Sequence, residues 1–174
     1  MLEFICIGYD IREWPCNGYF TVDSTEWEVS EELFEKAKTE IGTYSNHFQL
    51  LEILTNDDLD RLVKFVAAVP SATLVSVEAP LLVVNALRKY KKWGINENVA
   101  CGDDWTKLGY DVCDANGFFS ILHMEQFQNQ ERSMFKEDRL SDALILAQAA
   151  NYIVPTHAPF IVVNLKRMAI LGHP

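Results

Sequence analysis

Two stretches of this chain carry both a start and a stop signal for a helix, and the apolar runs around them have strand length. In the first, Ser30 is an N-cap residue, Glu31 and Glu32 fill a first turn where the helix dipole favours negative charge, and Gly42 ends the helix. Val29 and Phe34 hold the positions of a hydrophobic staple, while Leu33, Phe34, Ala37 and Ile41 supply the apolar face. The second opens at Thr55-Asn56-Asp57-Asp58, sets Leu59, Leu62, Val63 and Val66 at helical spacing, and closes at Pro70. A third helix is expected from Pro80, suited to a first helical position, to about Lys92, with Gly94 beyond its end. A fourth runs from Leu140 to Asn151, capped by Ser141, with Ala143, Leu144, Leu146, Ala147 and Ala150 facing inward.

Between these lie short runs rich in Ile, Val, Phe and Tyr. Leu2 to Tyr9 reads as a first strand, and Tyr19 to Val22 as a short second one joined to it across the turn residues Pro15, Asn17 and Gly18. Ser71 to Val77, Leu108 to Cys113 and Ala158 to Leu165 are further strands. Tyr44 to Asn46 reads as a connection and Gln126 to Arg139 as polar and irregular, whereas His47 to Leu54 and Phe118 to Met124 are apolar without a clean period. The mixture predicts an α+β fold: residues 1–174 as one domain, with a mainly antiparallel sheet packed by three to five helices. No repeat or long linker divides it.

Charge is distributed unevenly. Residues 1–78 hold 15 acids and 5 bases, and residues 79–174 hold 10 of each, so the whole net charge of -10 sits in the first part. Such a surface repels phosphate backbones and anionic lipid and favours a basic partner, or serves solubility alone. The longest apolar stretch, Ala79 to Leu87, is broken by Pro80 and Asn85, so no membrane span is expected. Met1-Leu-Glu-Phe lacks the basic start of a signal peptide, and Cys6, Cys16, Cys101 and Cys113 form no Cys-x-x-Cys pair. Four thiols in a reducing cytoplasm follow.

The fingerprints of common catalytic and phosphate-binding loops are missing, and His47, His123, His157 and His173 lack ligand spacing, so neither metal nor cofactor is expected. Asp57, Asp58 and Asp60 resemble a calcium loop without its glycine and closing glutamate. Asp111 and Asp114, three apart, are the best carboxylate pair for acid–base work, although Asp114 before Ala-Asn-Gly also suits a turn. Arg88, Lys89, Lys91 and Lys92 suit a helix end as well as a phosphate. Trp105, Tyr110 and Phe118, near Asp103, Asp104, Asp111 and Asp114, read either as core or as an arginine-binding hot spot.

Trp105-Thr-Lys-Leu-Gly-Tyr-Asp-Val-Cys-Asp114 followed by Val154-Pro-Thr-His-Ala-Pro-Phe160 resembles a pattern in small bacterial proteins that include presumed immunity proteins of polymorphic toxin and contact-dependent growth inhibition systems. The resemblance covers the C-terminal third. It implies a non-enzymatic, cytoplasmic protein that binds and neutralises a cognate toxin domain. Toxins that cut nucleic acid tend to be basic, which agrees with the charge reading. The carboxylates expected to meet such a nuclease are Asp23, Glu26, Glu28, Glu31, Glu32, Glu35, Asp57, Asp58 and Asp60, and the two acidic helix starts are expected to lie near each other. The alternatives are a small cytoplasmic enzyme using Asp111 or Asp114, and an acidic nucleic-acid mimic.

Overall fold

The computed structural model describes residues 2–13, 31–41, 44–45, 51–52, 55–69, 72–90, 105–115, 120–121, 124–127 and 135–168. In chain order the elements are β1 (Phe4–Glu13), α1 (Glu31–Ile41), β2 (Tyr44–Ser45), β3 (Leu51–Glu52), α2 (Asn56–Ala67), β4 (Ala72–Pro80), α3 (Leu81–Tyr90), β5 (Thr106–Asp114), α4 (Leu140–Ile153) and β6 (Phe160–Arg167). The strands form one sheet in the order β2-β3-β1-β4-β6-β5, antiparallel at every pairing. With four α-helices among the described residues this is the expected α+β arrangement.

Side chains alternate across a sheet, so the register assigns each residue to a face. Asn164 lies opposite both Glu78 and Tyr110, which puts Ala72, Leu74, Ser76, Glu78, Phe160, Val162, Asn164, Tyr110, Val112 and Asp114 on one face. At one end of that face Tyr9, Ile11, Ala72 and Leu74 pack under Ala37 and Ile41 of α1 and Leu59, Leu62 and Val66 of α2. At the other end Val112, Phe160 and Val162 pack under Ala143, Ala147 and Ala150 of α4. The opposite face gathers Val75, Val77, Ala79, Cys113, Ile161, Val163 and Leu165 beneath Val84 of α3. With helices on both sides, all nine residues of β4 are buried.

Several expectations shift for identifiable reasons. β4 continues past Val77 because Glu78 is tolerated inside: Lys166 and Asn164, on the adjacent β6, bind its carboxylate. Pro80 then closes the strand opposite Phe4 rather than opening the helix, and the Leu81 N–H donates to the Glu3 carbonyl at 2.9 Å. β1 runs on to Glu13, past the end expected at Tyr9, because it stays paired with β4 as far as Ala72. Tyr44–Ser45, expected as a connection, and Leu51–Glu52 pair with each other as short strands. The expected strand Tyr19 to Val22, the Val29–Phe34 staple, Ser30 and Gly42 lie outside the described residues or side chains.

Ser141 does not cap α4. A 3-10 turn at 137–139 runs directly into the helix, making Arg139 the N-cap residue without a side-chain cap bond; its guanidinium instead pairs with Asp142. Gly109 explains how β5, at the end of the sheet, is covered. Tyr110 and Phe135 exchange backbone hydrogen bonds of 2.7 and 2.8 Å, bringing the chain so close that a Cβ on Gly109 would sit 2.2 Å from the Phe135 oxygen. Gly109 also has φ +129, a conformation reserved for glycine. A second bridge, Cys113 to Ser120, shields the same edge from strand addition.

Candidate protein-binding surface

Arg61 in α2 donates to the carbonyls of Glu40 at 2.8 Å and Ile41 at 3.4 Å. This satisfies orphan carbonyls at the C-terminus of α1 with a cation, which the helix dipole favours. The middle of α2 therefore lies by the end of α1, about 15 Å along its 11 residues from the start of α1.

Of the carboxylates predicted to bind a partner, Glu35 is exposed and pairs with Lys38 at 2.7 Å. Asp58 is committed to its own helix. Thr55 has extended N-cap geometry and accepts from the Asp58 N–H at 3.1 Å, while its hydroxyl donates to Asp58 Oδ2 at 2.7 Å. Arg61 lies 3.5 Å from the other Asp58 oxygen. Asp57 and Asp60 are exposed and carry no ion pair or hydrogen bond among the described residues. Glu31 and Glu32 stand at the start of α1, their side chains outside what is described, and Asp23, Glu26 and Glu28 lie outside the described residues. Asp57, Asp58 and Asp60 are helical, so they do not form the calcium loop their spacing superficially resembles.

The Asp111–Asp114 pair does not exist as a site. Three residues apart on one strand, they face opposite sides: Asp111 sits opposite Val163 and Asp114 opposite Phe160. Asp111 is held by the Val112 N–H at 2.7 Å and the Ser120 hydroxyl at 3.0 Å. Asp114, 2 % exposed, instead meets the half-exposed ring of His157 at 3.3 Å. The Ala115 N–H also donates to the Pro159 carbonyl at 2.8 Å, so the two segments that carried the resemblance are neighbours along β5 and β6. Trp105 packs edge-on against Tyr9 with ring centroids 5.9 Å apart, and Tyr110 lies 5.9 Å from Phe4, so these two aromatics belong to the packing of the sheet.

Comparison with family models, curated proteins and solved structures finds no match for this chain. Its function must be read from its own residues. Among the described residues there is no group of three or more His, Cys, Asp or Glu that could hold a metal ion, and no helix long and apolar enough to cross a membrane.

Two features escaped the sequence reading. One is the buried polar set on β4 and β6, where Glu78 accepts from Asn164 at 2.6 Å and pairs with Lys166 at 2.5 Å. No local pattern links residues so far apart. The other is α4, which turns only alanines fully inward, at 143, 147 and 150, and leaves Leu144, expected inside, 43 % exposed. Its outer side carries Ile145, Tyr152 and Ile153 as well. The signal was present as spacing: alanines at i, i+4 and i+7 mark a helix lying close against a sheet, with the larger side chains displaced outward. Elsewhere, the hydrogen bond from Lys107 to Glu137 raises the lysine pKa above its ordinary 10.5, and burial lowers that of Arg167.

Proposed function

We propose that this chain is an immunity-type inhibitor that binds a basic toxin domain, a nuclease, and covers the surface that would hold nucleic acid. The observation that carries the reading is the pair Asp57 and Asp60. They are exposed on the first turns of α2 and carry no ion pair or hydrogen bond among the described residues, in the part of the chain that holds the whole charge surplus. Carboxylates in this state can engage lysines and arginines that otherwise contact phosphates, and complementary charge speeds such encounters. The cytoplasm, where such a toxin would act, is the location the reading requires.

The test uses the full chain as bait in lysate from its source cells, with bound proteins identified by mass. The expected result is one basic protein, retained at low salt and lost when Asp57 and Asp60 are replaced by lysine. The purified partner should then cut nucleic acid, and the native chain should stop it. Retention by both baits would move the site away from α2, and absence of any partner from lysate containing the toxin would end the reading.

The Asp114–His157 contact supports a second reading, a small enzyme in which a buried carboxylate orients an exposed imidazole. Asp114→Asn separates the two. The inhibitor reading expects full neutralisation by this variant, whereas the enzyme reading expects loss of activity with the fold intact.

A further inference from the structure

A sheet edge is a row of backbone N–H and C=O groups ready to pair with another chain, and the two ends of this sheet are protected in different ways. At one end β2 is only two residues long. At the other, β5 runs for nine residues, from Thr106 to Asp114. Its register slips between Lys107 and Gly109, and Phe135 and Ser120 bridge it at Tyr110 and Cys113. Between those two bridges lies Val112. The Tyr110 N–H and C=O both bond Phe135, so they point away from β6, and a strand repeats its backbone direction every second residue. The Val112 N–H therefore points out of the edge as well. Its hydrogen bond, of 2.7 Å, goes to the carboxylate of Asp111.

We infer that Asp111 is the plug of this edge: by occupying the Val112 amide it keeps a second copy of the chain from adding along β5. The placing of the charge favours this over a packing role. Asp111 is 8 % exposed and sits opposite Val163, on the face where Cys113, Ile161, Val163 and Leu165 belong to an apolar core. A valine or leucine would pack there without desolvating a charge, whereas a carboxylate must be held by hydrogen bonds. The Ser120 hydroxyl donates to the oxygen that Val112 uses, at 3.0 Å, and the Cys113 thiol to the other, at 3.7 Å. Ser120 thus both bridges the edge and anchors its plug. A strand arriving at β5 must strip the carboxylate from Val112 and leave a buried charge short of a donor. Two copies paired about a twofold axis do so twice. An inward-pointing charge is a general means of making an edge unfit for pairing. This role does not depend on what α2 binds.

Sedimentation equilibrium of the full chain in about 1 M salt tests this, because a screening length of about 3 Å suppresses the mutual repulsion of chains of net charge -10. Asp111→Val should remain folded by circular dichroism while its mass rises with concentration above that of the native chain. Asp111→Asn, which keeps an oxygen for Val112, should match the native chain. In the associated variant the Val112 amide should exchange its hydrogen more slowly as concentration rises, an effect that mere loosening of the fold does not produce. Asp111→Ala, which adds no bulk, repeats the test should the valine variant fold poorly. Exchange on the native chain needs no variant at all: there the Val112 amide should be protected. A folded Asp111→Val or Asp111→Ala with the native mass would overturn the inference. So would association that leaves Val112 exchange unslowed, an Asp111→Asn that associates equally, or a native Val112 amide exchanging at the rate of an open chain.

Discussion

Gly109 and Thr73 show how single positions constrain this sheet. A methyl group at residue 109 meets both a φ of +129 and the Phe135 oxygen. Gly109→Ala is therefore expected to destabilise the protein by about 3 kcal/mol, read as a lower denaturant midpoint with an unchanged slope. Thr73 is fully buried on β4, and its hydroxyl has no hydrogen-bond partner among the described residues. Thr73→Val keeps the shape and removes a desolvated hydroxyl, and should raise stability by about 1 kcal/mol in the same titration. Neither effect was legible in the sequence. Gly109 stood there as one residue of a strand-like run, and only the approach of a chain segment some 25 residues away gives it a role.

The elements repay a similar comparison. α2 was readable in full, because everything that makes it a helix is local: Thr55 caps it, Asp57 and Asp58 suit its dipole, and Leu59, Leu62 and Val66 bury one face. β4 was readable only as far as Val77, because Glu78 becomes an interior residue through Lys166 and Asn164 of β6. Removing Lys166 leaves the buried Glu78 carboxylate bonded to Asn164 but without its cation, so Lys166→Met should cost about 2 kcal/mol, a value reduced here for the partial exposure of the lysine. Combining it with Glu78→Leu should recover much of the loss. A double-mutant cycle by thermal unfolding measures this coupling, and strict additivity would show that the pair contributes nothing. α4 lies between these cases. Its helix was evident, but its orientation followed from how closely alanines let it approach β5 and β6.

For the whole molecule, the acidic α1–α2 end and α4 lie at different ends of one sheet face. Binding of a basic partner at the first should weaken as salt rises, so titrations at two salt concentrations should show lower affinity at the higher one. Affinity unchanged by salt would remove charge from the interface. The sequence by itself determined the α+β class, the amphipathic helices and the placing of the charge surplus, since periodicity, capping and composition act over a few residues. It also marked the carboxylates, but not their state. Asp58 is held locally, by Thr55 and Arg61 three residues to either side, whereas tertiary structure alone decided that Glu78 is held inside by Asn164 and Lys166 and that Gly109 meets Phe135. Those outcomes depend on strand register and on partners distant in the chain, which no local pattern encodes.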